Sequence, residues 1–494
     1  MHKKLPIFYN ALLLTGVNLL LRLVSTSFQV FLSGRIGAAG IGLLQLVLSV
    51  GSLSMTAGMA GIRTATMYLT AEELGHRRPG SVVWVLSGCV VYSILCSGAV
   101  AVFLYIFAPF LAQNWIGQPQ TVGAIRLFAC FIPVSCLCGM MVGYFTAANR
   151  IGTLAAVEVA EQLLSMTVTM TLLSLWAGSD PVRACESVIL GSSISACMTL
   201  GCLVWLRLRE RVKTTERIPV RSRLLQAAVP LALADDLRAG ISTTENLMVP
   251  RRLALYPGTA DPLAAFGTVC GMVFPVLMFP AAILFGLAEL LIPELARCAA
   301  AGSHQRIIYL VRRSLRVALL YGCLFCGLEF LLSGELCLRL YGSAEAGRYL
   351  RLYALLIPML YCDAITDAMT KGLGQQKACV RYNIITSSMD VAFLFLLLPR
   401  YGMMGYFISF LVTHLLNFLL SLRKLLKITH ISLSPGAAVL VPVATASAVF
   451  LASHIYSPIA RGVGFVLLFG SLLVLFRVLG KEDLFWLKGL TAKK

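Results

Sequence analysis

Apolar runs long enough to cross a lipid bilayer recur along this chain and constrain its fold more than any other feature. A helix needs about 20 apolar residues to span the hydrocarbon core, and the stretches 81–110 and 122–148 are examples. Of the 494 residues, 58% are hydrophobic and 13% are charged, which is about half the charge of a soluble chain. The sequence therefore predicts an all-α, polytopic membrane protein.

We predict about fourteen transmembrane helices. The eighth span is too long for one straight helix, and its prolines Pro275, Pro280 and Pro293 predict a kink or a break. The predicted spans are 8–32, 39–62, 82–109, 122–148, 153–177, 186–206, 223–249, 263–296, 308–332, 350–370, 380–398, 402–422, 434–455 and 460–478.

The net charge of +19 is distributed unevenly between the predicted loops. With the N-terminus inside, cytoplasmic segments hold 29 of the 41 lysines and arginines, and the outer segments hold nine. Cytoplasmic loops of membrane proteins carry such an excess, so both termini are predicted to be cytoplasmic. The basic charge is thus assigned to topology and to anionic lipid headgroups rather than to nucleic acid.

The basic N-terminus lacks a small-residue cleavage site, which favours an uncleaved first helix. The 15 cysteines lie mostly within apolar helices, and no histidine cluster accompanies them. They are interpreted as small core residues, and no metal site is predicted.

Weak internal repeats predict how the spans are organised. RLFACFIP (126–133) opens the fourth span, and RLYALLIP (351–358) opens the tenth. Because six spans is an even number, both halves enter from the same side, as in parallel repeats. The predicted domains are a six-helix lobe at 1–206, a basic cytoplasmic linker at 207–222, a six-helix lobe at 223–424, and two further helices with a cytoplasmic tail at 425–494.

Polar residues form a stripe on the first span and another on the seventh, at helical spacings of three and four that place them on one face. Charge near mid-membrane is costly and normally faces a bundle interior or a watery cavity. We therefore expect a substrate cavity at the interface between the repeats. The predicted binding residues are Asn18, Arg22 and Gln29 on the first span, and Asp235, Arg238, Ser242 and Glu245 on the seventh.

Two interpretations of these stripes remain open. Guanidinium groups bind phosphate through two hydrogen bonds at once, so Arg22 and Arg238 are candidates to hold a diphosphate headgroup. Alternatively, Asp235 and Arg238 form a structural ion pair, with Glu245 near the outer interface.

Further acids inside the spans are candidates for coupling transport to H⁺, Na⁺ or the membrane potential. A role in helix packing is the alternative for each of them. No other cofactor is predicted. The candidates are Asp236, Asp363, Asp367 and Asp390.

Several motifs resemble a known family. STTENLMVPRRL (242–253), FGTVCGMVFPVLMFPAAI (266–283), GIRTATMYLTAEE (61–73) and KGLGQQK (371–377) are similar to the stage V sporulation protein B group. That group belongs to the polysaccharide-export branch of the multidrug/oligosaccharidyl-lipid/polysaccharide (MOP) flippase superfamily, which includes the MATE transporters.

This resemblance implies a two-lobed, V-shaped transporter of the bacterial cytoplasmic membrane, related to lipid II flippases. It would move a lipid-linked oligosaccharide or peptidoglycan precursor outward by alternating access, for spore cortex or envelope polysaccharide. Arg22 stands where the first-span arginine of those flippases is expected. Their second- and eighth-span arginines have no counterpart here, and Arg63 lies at the cytoplasmic end of the second span.

Other functions remain open. A cation-coupled multidrug exporter would use membrane carboxylates, although cationic stripes would repel its cargo. A membrane glycosyl-transferring enzyme or polymerase would need a large loop with acids or a metal site, and the outer loops here are short. The chain is therefore predicted not to be an enzyme. Its expected partners are the lipid-linked sugar, membrane lipids and a peptidoglycan or polysaccharide synthase.

Overall fold

The computed structural model describes residues 5–75, 80–178, 180–209, 220–431 and 435–478. All regular secondary structure within these ranges is helical, which confirms the predicted fold class. The predicted linker and the C-terminal tail lie mostly outside the described ranges. The α-helices are α1 (Leu5–Met59), α2 (Ile62–Gly75), α3 (Val82–Phe110), α4 (Val122–Ala147), α5 (Ile151–Leu172), α6 (Pro181–Leu208), α7 (Arg221–Leu253), α8 (Pro262–Thr268), α9 (Phe274–Leu277), α10 (Ala281–Ala300), α11 (His304–Tyr341), α12 (Ala344–Tyr353), α13 (Ile357–Gly372), α14 (Gln376–Tyr401), α15 (Met403–Thr429), α16 (Pro435–Ala452) and α17 (Pro458–Leu475).

Each of the fourteen predicted spans coincides with helical structure. Within the described ranges, ten helices are long and apolar enough to cross a membrane, or eleven if one bent pair counts as a single span. The remaining difference from fourteen has three sources. The first two spans share α1, whose backbone departs from helical geometry at Gly37 (φ 69°, ψ −179°). The seventh span, α7, carries many charges, and α16 is short.

The predicted eighth span is broken. The helical stretches 262–277 and 281–300 meet at a bend of 64°, and Pro280 lies at that bend. Two tyrosines donate hydrogen bonds to carbonyl groups at the bend. The Tyr361 hydroxyl donates to the Leu277 carbonyl at 3.0 Å, and the Tyr321 hydroxyl donates to the Pro280 carbonyl at 2.8 Å. Pro293 lies inside α10 without ending it.

Two compact units can be distinguished, namely Met1–Gly267 with Val391–Met403, and Thr268–Asp390 with Met404–Lys494. In the first unit, an apolar core joins α2, α3, α4, α6 and α7, and α7 also packs along α1. In the second unit, α16 and α17 pack on α11 around Phe465 and Phe469. The predicted boundaries assign α7 to the second lobe, whereas α7 packs within the first unit. The lobe boundaries stay a prediction.

An arginine–aromatic contact occurs at the same place in both predicted repeats. The Arg126 guanidinium lies 5.1 Å from the ring centre of Tyr105, and the Arg351 guanidinium lies 4.6 Å from that of Phe330. Each aromatic residue precedes its arginine by 21 residues. The repeated sequence motif therefore coincides with a repeated local geometry, which supports the predicted duplication.

Candidate functional site

A cavity of about 860 Å³ opens within the first unit. Its walls come from α1, α2 and α7, with Phe128 of α4 contributing one side chain. Most of the lining residues are polar or charged, and apolar side chains such as Leu48, Met55 and Phe128 lie among them. The polar and charged lining residues include Ser49, Arg63, Asp235, Arg238, Ser242 and Asn246.

The chain leaves α1 through a sharp break that directs α2 into the cavity wall. Ala60 and Gly61 both have left-handed backbone angles, with φ of 42° and 71°, which end the helix and restart it in a new direction. The Tyr92 hydroxyl donates to the Ala60 carbonyl at 3.1 Å and fixes this break. Arg63, two residues later, lines the cavity.

Close packing holds α2 in place behind Arg63. A Cβ atom added at Gly143 of α4 would collide with the Arg63 carbonyl oxygen, and one added at Gly61 would meet the Ala228 carbonyl of α7 at 2.5 Å. Small residues allow membrane helices to approach this closely. Gly143 thus permits the close approach of α4 to α2.

Hydrogen bonds join α1 to α7 beside the cavity. The Thr243 hydroxyl donates to the Ser49 carbonyl at 3.1 Å, and the Asn246 amide donates to the Ser49 hydroxyl at 3.0 Å. The Ser49 hydroxyl in turn donates to the Gln45 carbonyl at 2.7 Å. These contacts fix the rotation of α7 and present Asp235, Arg238 and Ser242 to the cavity.

The charges of the cavity are available to a ligand. Arg63, Asp235 and Arg238 are all exposed to it. None of the three forms an ion pair with another residue in the described ranges. The structure therefore does not contain the alternative, an ion pair between Asp235 and Arg238. Two cations and one anion are among its lining residues, and Glu158 of α5 interacts electrostatically with Arg63 from outside the lining.

The predicted site residues divide between the cavity and other positions. Asp235, Arg238 and Ser242 line it, whereas Arg22, Gln29 and Glu245 are not among its lining residues. Arg22 and Gln29 precede the irregular backbone of α1 at residue 37, and the α1 residues that line the cavity all follow it. The side chain of Asn18 lies outside the described part of the chain. A substrate role for these four residues stays a prediction.

The sequence does not predict most of the cavity residues, and Ser49, Arg63 and Asn246 are among those it misses. It places Arg63 at the cytoplasmic end of the second span. The glycine at position 61 was the available signal, because a glycine between two helical patterns marks a change of direction.

The candidate coupling acids of the second unit are bound to neighbouring side chains. The Asn417 amide donates to both carboxylate oxygens of Asp363, at 3.1 and 3.2 Å. Asp367 forms an ion pair with Lys371 at 2.6 Å.

Asp390 accepts hydrogen bonds from two hydroxyls of α15, Ser409 at 2.5 Å and Thr413 at 3.2 Å. In the first unit, Asp236 is half-buried, and its Oδ1 has no hydrogen-bond partner. The coupling role of all four acids stays a prediction. Among the described residues, no three His, Cys, Asp or Glu side chains gather as metal ligands.

Comparisons with known proteins agree with this architecture. No family model matches the chain. Stage V sporulation protein B of Bacillus subtilis (strain 168) is 22% identical over 85% of this chain and 84% of that protein. Sporulation protein YkvU of the same organism is 24% identical over 45% of this chain and 51% of that protein.

Solved structures give the fold independently. The lipid II flippase MurJ in an inward closed conformation superposes with a TM-score of 0.71 at 11% identity, over 94% of this chain and 99% of that one. An inward-facing MATE family transporter of the MOP superfamily gives 0.64 at 14% identity, over 85% and 100%. The resemblance to the sporulation protein B group is confirmed, and the chain has the fold of the MOP superfamily transporters.

Proposed function

We propose that this protein is a flippase that moves a lipid-linked oligosaccharide or peptidoglycan precursor, a polyprenyl-diphosphate sugar, across the bacterial cytoplasmic membrane. One observation carries the proposal: the cavity presents Arg63 and Arg238 without ion-pair partners in the described ranges. Two guanidinium groups match a diphosphate, which carries two neighbouring anionic groups and accepts paired hydrogen bonds.

Arg63 has the role in this proposal that the sequence analysis assigns to Arg22. The cavity of about 860 Å³ lies within the range of pockets that bury ligands. It has hydroxyl and amide side chains, such as Ser242 and Asn246, that can hydrogen-bond to sugar hydroxyls. The polyprenyl tail would remain in the bilayer while the headgroup crosses, so the protein needs to move only the polar part.

Transport by alternating access requires no covalent chemistry, and the protein is accordingly proposed to be a transporter and not an enzyme. Outward export, cytoplasmic termini and coupling to H⁺, Na⁺ or the membrane potential through Asp236, Asp363, Asp367 or Asp390 belong to the same proposal. So does cooperation with a peptidoglycan or polysaccharide synthase, for example in building spore cortex. The likeness to a protein named for sporulation supports that setting.

A cation-coupled drug exporter is the second candidate, because MATE transporters share the fold. The cavity does hold one anion, Asp235. Two arginines outweigh it, however, and would repel a cationic cargo. A membrane glycosyl-transferring enzyme is less favoured, since the described residues contain no metal-ligand cluster of the kind such chemistry uses.

The deciding experiment is headgroup translocation in proteoliposomes with a fluorescent polyprenyl-diphosphate sugar. We expect the intact protein to flip the probe, and the Arg63→Gln/Arg238→Gln double variant to lose about 100-fold in rate. That factor corresponds to two lost charge-assisted hydrogen bonds at about 1.5 kcal/mol each. Arg221→Gln is the matched control, because Arg221 lies on the same helix, is exposed and does not line the cavity.

Thermal unfolding of each purified variant checks that it is folded. Flipping by the double variant at the rate of the intact protein would refute the proposed headgroup site. Transport of organic cations by the intact protein, without any flipping of the lipid probe, would assign it to the drug-exporter class. An Arg22→Gln variant tests the remaining sequence prediction in the same assay.

A further inference from the structure

A second polar pocket, of about 530 Å³, lies in the second unit. It is bounded by the C-terminal part of α11, by α12 and by the residues that connect α16 to α17. On the predicted topology these three segments all face the outer side of the membrane. The residues that line the pocket include Phe330, Glu335, Leu338, Arg348, Arg351 and Arg461.

Arg461 builds one wall of this pocket. Its Nη1 contacts Glu335 Oε1 at 2.8 Å, and its other nitrogens donate to the carbonyls of Ile455 at 2.9 Å and Tyr456 at 3.3 Å. These bonds tie the connection between α16 and α17 to α11. Because Glu335 neutralises Arg461, this pair contributes structure rather than net charge.

Arg348 and Arg351 are the uncompensated charges of the pocket. They lie one helical turn apart on α12, so their side chains project from the same face, and both are exposed. Neither forms an ion pair within the part of the chain that the structure describes. The Arg351 guanidinium lies over the Phe330 ring at 4.6 Å, and a guanidinium held by its face keeps its N–H edges free to donate.

The pocket also has apolar lining residues. Phe330, Leu331 and Leu338 are among them, and Leu338 is 58% exposed. It lies on α11, a helix long and apolar enough to cross a membrane, and it offers an apolar surface to an acyl chain. A ligand of this pocket therefore meets two cations without ion-pair partners in the described ranges and, beside them, an exposed apolar surface.

We propose that this pocket binds the phosphate of an anionic phospholipid headgroup from the outer leaflet, with Arg348 and Arg351 as its ligands. Guanidinium groups bind phosphate through charge-assisted hydrogen bonds, and the adjoining leucines offer an apolar surface to the acyl chains. The site is separate from the cavity of the first unit and does not depend on what that cavity transports.

The first predicted repeat provides an internal control. Arg126 lies over Tyr105 just as Arg351 lies over Phe330. The crevice beside Tyr105 measures about 240 Å³ and is lined by apolar residues such as Val102 and Ile106. The residue three before Arg126 is Gly123, where the second repeat has Arg348. An arginine–aromatic contact without a second arginine is therefore not expected to form an anion site.

The test is binding of fluorescent phosphatidylglycerol to the full-length protein in detergent. We expect the Arg348→Gln/Arg351→Gln variant to bind about tenfold more weakly, given two cations near the headgroup. Arg126→Gln loses the same kind of aromatic contact, and should bind as the intact protein does. Arg348→Lys/Arg351→Lys keeps the charge and should retain most of the binding.

Three further results would each overturn the proposal. The first is equal binding by the glutamine double variant and the intact protein. The second is an equal loss in Arg126→Gln, which would show a non-specific effect of surface charge or folding. The third is displacement of the lipid by inorganic phosphate at matching concentration, which would identify free phosphate as the ligand. Phosphatidylcholine, whose choline group offsets the phosphate charge, should bind more weakly than phosphatidylglycerol.

Discussion

The charged residues that line the cavity of the first unit differ from the acids Asp363 and Asp390 of the second unit in whether they have partners within the protein. In the cavity of the first unit, Arg63, Asp235 and Arg238 have no ion-pair partner among the described residues. In the second unit, Asp363 and Asp390 are held by amide and hydroxyl groups of α15. Because unpaired charge in a membrane protein is costly, the first arrangement indicates binding, whereas the second is also compatible with a purely structural role.

Other charged residues of the second unit lack such partners. Glu329 of α11 is buried, and its Oε2 has no hydrogen-bond partner. Arg348 and Arg351 line the pocket of about 530 Å³ without an ion pair in the described ranges. The contrast is therefore between the charged residues of the first cavity and the hydrogen-bonded acids Asp363 and Asp390.

The largest expected effect is on transport by the single variant Arg238→Gln. Loss of one charge-assisted contact to a phosphate should lower the flipping rate about tenfold or more, while the free energy of unfolding should change by less than about 0.5 kcal/mol. Flipping and thermal unfolding would be measured on the same preparation. A large loss of stability instead would show that Arg238 holds the fold together, contrary to the comparison.

The next effect is on packing behind the cavity. Gly143→Val places a side chain against the Arg63 backbone, and overpacking of this kind costs about 1–3 kcal/mol. We expect a lower unfolding temperature together with slower flipping, because α2 carries Arg63. Gly98→Val is the matched control, since a Cβ there meets no other residue within 4 Å. Equal behaviour of the two variants would contradict the proposed role of the close approach.

In the second unit we expect substitutions to affect stability more than transport. Asp363→Ala leaves the Asn417 amide without its acceptor, and we expect a loss of about 1–2 kcal/mol in unfolding free energy. The double variant Asp363→Ala/Asn417→Ala should lose less than the sum of the single variants, as for residues in direct contact. Additive losses would mean that the hydrogen bonds between these side chains contribute nothing.

The smallest effect is expected at Lys371. Its ion pair with Asp367 is an i, i+4 contact, with the lysine side chain 35% exposed. Such pairs contribute about 0.3–0.5 kcal/mol. Lys371→Gln should therefore leave the unfolding temperature nearly unchanged at moderate salt, and a shift of several degrees would show that Asp367 depends on this partner.

The sequence predicted features that arise from local pattern. Helical spacing placed Asp235, Arg238 and Ser242 on one face of α7, and the structure puts all three in the cavity. Apolar length predicted the helices themselves. Prolines predicted the break in the eighth span, although only the region around Pro280 bends and Pro293 does not.

What the sequence could not predict depends on contacts between distant residues. Asp363 and Asn417 are 54 residues apart, and nothing in the local pattern of either helix indicates the other. The direction of Arg63 follows from left-handed backbone at Ala60, which is rare for a residue with a side chain. The sequence predicts that Arg22 lines the cavity because it lies in a polar stripe like that of Arg238. The irregular backbone at residue 37 separates Arg22 from the cavity-lining part of α1.

The tyrosine hydroxyls at the 64° bend have a consequence for motion. A broken membrane helix usually exposes carbonyl groups that adapt when the two pieces swing, yet here Tyr361 and Tyr321 hold those of Leu277 and Pro280. Opening this angle would break both hydrogen bonds in a setting where water cannot replace them. The two hydrogen bonds therefore stabilise the bent arrangement, and each carbonyl would need a new donor if the angle between the two helical pieces changed.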